Sequence, residues 1–150
     1  GQEYWKTFVI DGKQVRKPIR TKPNTPINVG ELEFNEKTGE PEKLKFFWAM
    51  VVWNYNAQRV QILEITQSTI RKAIVALCNN AKWGEPTGYD LDIVRDESTD
   101  KTSYTVTPEP KEKVDPKIME QYKSQKINLE ALYSGQDPFK ENVNSEEVNV

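Results

Sequence analysis

The side chains of this chain that can do chemistry are mostly flat rings and cations, and they gather in two stretches. The first is Phe46-Phe47-Trp48-Ala49-Met50-Val51-Val52-Trp53-Asn54-Tyr55, with two tryptophans and two phenylalanines inside eight residues. An extended strand sends alternate side chains to opposite faces. Phe46, Trp48, Met50 and Val52 therefore share one side, and Phe47, Ala49, Val51, Trp53 and Tyr55 the other. One face of a small sheet can fill a core, but a second face bearing rings needs a protein cover or a ligand. Rings on a sheet surface stack unpaired nucleobases, each contact contributing roughly 1–3 kcal/mol whatever the base. Trp48 or Trp53 with Tyr55 are the candidate stacking rings. The second stretch is the basic arm Lys13 to Lys22. Its Arg16, Lys17 and Arg20, together with Lys45 and Arg59, suit phosphates through a salt-sensitive, sequence-blind attraction. Both stretches also have plainer readings. One ring set is core while the 22–45 loop or the C-terminal helix covers the other, and the arm is a solvated edge guarded by charge and Pro18. A one-residue slip in register exchanges the two ring faces, so the wet face stays open at this point.

Other chemistry is sparse. Asp90 and Asp92 share a strand face that Glu64 can approach, and paired carboxylates hold Mg²⁺ in nucleases. Plain alternation of a half-solvated strand explains both aspartates equally well, and Lys101 is not obviously placed to act as a base. There is no histidine, which removes the commonest general base and metal ligand. The single cysteine, Cys78, excludes an intrachain disulfide and a multi-cysteine zinc site, and its apolar helical setting reads as a buried, inert thiol. No Gly-rich phosphate loop, nucleophile elbow or Cys-x-x-Cys occurs. The expectation is a protein without catalytic residues, metal or cofactor.

The elements that must position these groups follow from the pattern. Tyr4 to Ile10 alternates as a strand, Asp11-Gly12 is a hairpin turn signal, and Val15 to Thr21 returns as an edge strand or irregular arm because of Pro18. Residues 22–45, rich in Pro, Gly and charge, read as a loop with at most one short strand. The aromatic strand is followed by a strand over Arg59–Ile65. A helix then carries Ile70, Ala73, Ile74, Leu77 and Cys78, capped by Ser68 or Thr66 and ending by Asn79-Asn80. Strands over Tyr89–Arg95 and Ser103–Thr107 come next. A C-terminal helix opens at Pro116, with an interrupted apolar stripe of Ile118, Met119, Tyr122, Leu129, Leu132 and Tyr133. This order predicts a mainly β fold, a five-stranded antiparallel OB-fold barrel with one helix between its third and fourth strands and a C-terminal helix. The expected division is a 1–110 nucleic-acid-binding domain, a 111–135 helical extension and a 136–150 flexible, mildly acidic tail. Net charge is −2 overall, but six Lys or Arg against Glu3 and Asp11 leave residues 1–30 at +4 and the rest at −6. No apolar run is long enough to span a bilayer and no signal-peptide pattern is present, so a cytoplasmic protein without a membrane partner is expected.

The aromatic strand, Val60-Gln61-Ile62-Leu63-Glu64-Ile65-Thr66-Gln67, Lys82-Trp83-Gly84, Tyr89-Asp90-Leu91-Asp92-Ile93-Val94-Arg95 and Tyr104-Thr105-Val106-Thr107-Pro108 occur in this order. Together they resemble bacteriophage single-stranded DNA-binding proteins of the OB-fold, helix-destabilising type, over about residues 44–108. The resemblance implies coating of exposed single strands in phage DNA replication, recombination and repair, without catalysis, in the infected host's cytoplasm. It also implies contacts with replication or recombination proteins through an acidic C-terminal tail. Here that tail holds Asp137, Glu141, Glu146 and Glu147 against Lys140 and ends without an aromatic, a departure from the pattern. Some members hold zinc; one Cys and no His argue against it here. The rival reading is a protein-interaction β-barrel, a virion or replisome adaptor that binds no nucleic acid.

Overall fold

In the computed structural model residues 1–140 are described. The chain is mainly β with antiparallel sheets, as expected. β1 (Gln2–Ile10) and β2 (Lys13–Thr21) form a long ribbon in unbroken register from Gln2↔Thr21 to Ile10↔Lys13. Its turn is Asp11-Gly12, with φ of 50° and 74°, the pair of positive values that a type I′ turn requires. Pro18 lies in β2, the outermost strand of the β2–β1–β5 sheet, where its missing N–H need break no ladder bond.

The loop-rich stretch contributes two-residue strands β3 (Phe34–Asn35), β4 (Glu40–Pro41) and β5 (Lys45–Phe46) and a 3₁₀ turn at Val29–Glu31. β5 pairs with the start of β1, and the Phe47 N–H donates to the Gly1 carbonyl at 3.0 Å. The aromatic strand is therefore broken at Phe47, and β6 runs from Trp48 to Asn54. It pairs with β7 (Arg59–Ile65), after which come α1 (Ser68–Cys78) and the hairpin of β8 (Leu91–Asp96) with β9 (Ser103–Pro108).

The described strands close no barrel. Each long ladder stays inside its own hairpin, and apart from the short β1–β5 pairing side chains join the hairpins. Among strands of six residues or more, α1 follows the fourth and not the third, because β1 and β2 form a ribbon of their own ahead of the aromatic strand. The α1 cap also differs: the N-cap is Gln67, whose side-chain oxygen accepts from the Thr66 N–H at 3.2 Å and leaves the helix start without a side-chain cap. Ile70 and Ile74, one helical turn apart, pack with Ile65 as the centre of the core. Trp48, Met50, Leu63, Leu91, Ile93, Tyr104 and Val106 surround them. Cys78, at the last position of α1 and away from that stripe, is exposed, contrary to the expected burial.

α2 (Pro116–Ser124) begins as expected with Pro in its first turn, and the Asp115 carboxylate accepts from the Lys117 N–H. It stops at Gln125, and the apolar stripe continues in a 3₁₀ helix, Leu129–Ser134, closed by left-handed Gly135. This segment packs back on the N-terminal ribbon. Tyr133 meets Phe47 edge-on at 6.3 Å, and Lys22 lies 3.7 Å from Glu130. Within the expected tail, Pro138 is buried and its carbonyl accepts from the Asn128 N–H. Residues 141–150, which hold most of the acidic tail, lie outside the described residues. Among the described residues no helix is long and apolar enough to cross a membrane.

Two polar contacts hold the ribbon in place. The Arg20 guanidinium donates from Nε to Glu3 at 2.9 Å and from Nη2 to Glu64 of β7, and its Cζ sits 4.7 Å from the Phe47 ring centroid. Further along, where β1 has no partner on its other side, the Glu33 carboxylate accepts from the Thr7 N–H at 2.6 Å and its hydroxyl at 2.9 Å. Arg20→Met leaves two carboxylates facing each other, and about 2–3 kcal/mol should be lost in urea unfolding. The bond from the Thr7 N–H, then that from its hydroxyl, holds Glu33 below its ordinary 4.5. A depressed acid stabilises the fold above its unfolded pKa, and that contribution is lost as pH falls through the folded value. The melting-temperature gap between wild type and Glu33→Gln should thus be full at neutral pH, shrink below 4.5 and vanish in stronger acid.

Candidate nucleic-acid interface

Register now settles where each ring and cation lies. On β6, Trp48 faces α1 and packs against the Ile65–Ile70–Ile74 cluster, so its ring is part of the core wall. Trp53, on the opposite face, is half-buried and lies opposite buried Val60. On that same face Val51 borders a shallow groove whose other wall is Tyr122, Lys123, Gln125, Ile127 and Leu129. Both faces of the aromatic strand are thus largely covered by protein. Tyr55 lies just past the strand and is 52% exposed, and its hydroxyl donates to Asp90 at 2.8 Å. That bond, burial and the charges of Asp90, Glu112 and Asp115 hold its phenol above the ordinary value. Three carboxylates round one ring oppose a phosphate there. Arg59 is exposed at the same end, its guanidinium 2.9 Å from the Gln61 amide, which reaches Asn54 at 2.7 Å.

The basic arm is a strand, and its cations divide by face. Arg16 and Arg20 point to one side. Arg20 is committed to Glu3, Glu64 and the Phe47 ring, while Arg16 pairs with Glu42 at 2.5 Å and lies 5.9 Å from the Trp5 ring centroid. Lys45 lies in register with Glu3 across β1–β5. Lys17 points to the other side, exposed and directly opposite Lys6. Beyond that pair come Phe8↔Val15, half-buried, and Ile10↔Lys13, exposed. Lys6, Lys13 and Lys17 make no ion pair within 4 Å among the described residues. Like charges set directly opposite each other in an antiparallel ladder destabilise it, and an anion lying across both would relieve that repulsion.

The eight expected site residues are therefore not brought onto one surface. Arg16, Lys17 and Arg20 lie along the ribbon, whereas Trp53, Tyr55 and Arg59 lie at the turn end of β6–β7. Lys6, Phe8 and Lys13, which share the face of Lys17, are not among the expected site residues, although a signal for their placement exists. A two-residue Asp-Gly turn pairs Ile10 with Lys13, and counting back sets Lys6 against Lys17. The carboxylates considered for a metal are dispersed: Glu64 binds Arg20, Asp90 accepts from Tyr55, and Asp92 pairs with Thr107 on an exposed face. No group of three His, Cys, Asp or Glu able to hold a metal exists among the described residues.

No protein-family model matches this chain, and no curated protein or solved structure matches it significantly either.

Because Trp48 walls the core and Tyr55 is half-exposed, the two differ in what they stabilise. Trp48→Ala should lower unfolding free energy by about 2–3 kcal/mol, as a half-buried large side chain does, and Tyr55→Phe by under about 1 kcal/mol. Urea denaturation with unchanged m-values is the check.

Proposed function

We propose that this chain binds single-stranded DNA without base preference, with the lysine-bearing face of the N-terminal ribbon as its primary contact. The observation that carries the reading is the in-register Lys6–Lys17 pair, with Lys13 further along the same face and the Phe8 ring between them. Lysines supply counterion-releasing phosphate contacts and rings supply base stacking. Arg16 over Trp5 on the reverse face adds a second ring-and-cation pair. The resemblance to phage helix-destabilising proteins supports a setting in replication, recombination and repair inside the host cell, with the acidic tail meeting partner proteins. The reading includes an OB-type arrangement, supported by the order β2, β6, β7, α1, β8, β9, which is strand, strand, strand, helix, strand, strand.

One observation favours the adaptor reading. Of the rings of β6, Trp48 is spent on the core and Trp53 is half-buried, as a protein-binding module without a DNA platform requires.

Titration with oligo-dT, read by tryptophan emission and by anisotropy of labelled DNA, separates the two. Saturable binding that weakens with added NaCl is expected. The double variant Lys6→Ala/Lys17→Ala should reduce the salt slope by about 1.4, at roughly 0.7 per single-strand phosphate, with no loss of thermal stability. A folded protein that ignores oligo-dT at low salt, or binds it indifferently to NaCl, refutes the proposal.

A further inference from the structure

Outside the ribbon, one exposed ring and one unpaired guanidinium meet at the start of α1. Phe46 is 51% exposed, and the Arg71 Cζ stands 6.0 Å from its ring centroid. The Arg71 Nε is enclosed and has no hydrogen-bond partner, and the first turn of α1 contains no acidic side chain. Arg71 also makes no ion pair within 4 Å among the described residues. An enclosed charged donor without an acceptor is costly unless a ligand completes it. Planar guanidinium beside a ring is the pairing that holds a phosphate and a base together.

Register places this pair on the lysine face. Gln2 lies opposite Thr21 on β2 and opposite Phe46 on β5, and residues directly opposed across a ladder point the same way. Phe46 therefore shares its face with Tyr4, Lys6 and Phe8, which alternate along β1 from Gln2. Four residues of strand separate the Phe46 row from the Lys6–Lys17 row, about 14 Å at roughly 3.4 Å each. That length is about four nucleotides at the stacked rise of 3.4 Å. Between the two rows Gln2 and Tyr4 are buried, with the Gln2 amide donating to the Lys22 and Thr25 carbonyls, so the face offers two separate stations.

We infer that Phe46 and Arg71 form a second nucleotide-binding station, with a base on the Phe46 ring and its phosphate on Arg71. This rests on the single-strand-binding reading and adds its route: from the Lys6–Lys17 pair along β1 toward the start of α1. It gives no role to the rings of β6.

The test uses the full chain and an oligo-dT long enough to span both stations. Phe46→Ala should weaken binding about tenfold and leave the salt slope unchanged, as loss of one stacked base does. Arg71→Ala should weaken it and lower the slope by about 0.7, whereas Arg71→Lys should keep the slope and still lose affinity. Phe46 is exposed, so its variant keeps the fold even where an Arg71 variant does not. Wild-type affinity and slope in Phe46→Ala and Arg71→Lys, alongside weakened binding by Lys6→Ala/Lys17→Ala, overturn this station and leave the ribbon reading intact. A wild type that binds no oligo-dT overturns both.

Discussion

The Arg20 guanidinium ties the N-terminal ribbon to the β6–β7 hairpin. Arg20 extends from β2, takes Glu3 from β1 and Glu64 from β7, and lies against the face of Phe47, whose ring is buried. Burial works against its charge, but the two carboxylates outweigh that effect and the net pKa shift is upward. A planar fork can satisfy two carboxylates from different strands at once, which a lysine ammonium on its flexible stem does less well. The contact joins β1, β2 and β7 at one point. On β2 Arg20 is thereby engaged on one side of the ribbon while Lys17 is exposed on the other. Tyr133 closes over the same Phe47, so the C-terminal segment depends on that arrangement as well.

This division explains why a basic arm read as one functional unit behaves as two. Alternate residues of β2 leave for opposite sides, so Arg16 and Arg20 find carboxylates while Lys17 does not. Charge counts along a sequence cannot make that distinction; pairing can. The carboxylates that neutralise the arginines are far away in sequence, Glu42 and Glu64, and no local pattern announces them.

Local structure was legible where short-range physics decides it. The Asp11-Gly12 turn, the Arg59–Ile65 strand, the body of α1 and the Pro116 helix start each follow from turn chemistry, alternation or periodicity. The arrangement of hairpins was not legible, because it rests on contacts such as Arg20–Glu64 and Trp48 against Ile70 and Ile74. The aromatic strand shows the limit well: its alternation holds only from Trp48 to Asn54, because the break at Phe47 moves Phe46 to the β1 ladder, and whether each face meets protein or ligand depends on α1 and the 122–129 segment. Phe46 could not be told from its neighbours until the chain broke at Phe47 and left it under Arg71.

The Glu33 carboxylate on Thr7 has a consequence beyond holding the ribbon. An unpaired strand edge is a template on which another chain can add a strand. The ribbon has two such edges, and each is blunted: Pro18 lacks a donor on one, and Glu33 occupies a donor on the other. Copies of a chain with a bare strand edge can add strand to strand wherever they meet at high concentration. The two blunted edges keep such neighbours from zipping together through their backbones, leaving contact between copies to side chains, which can release.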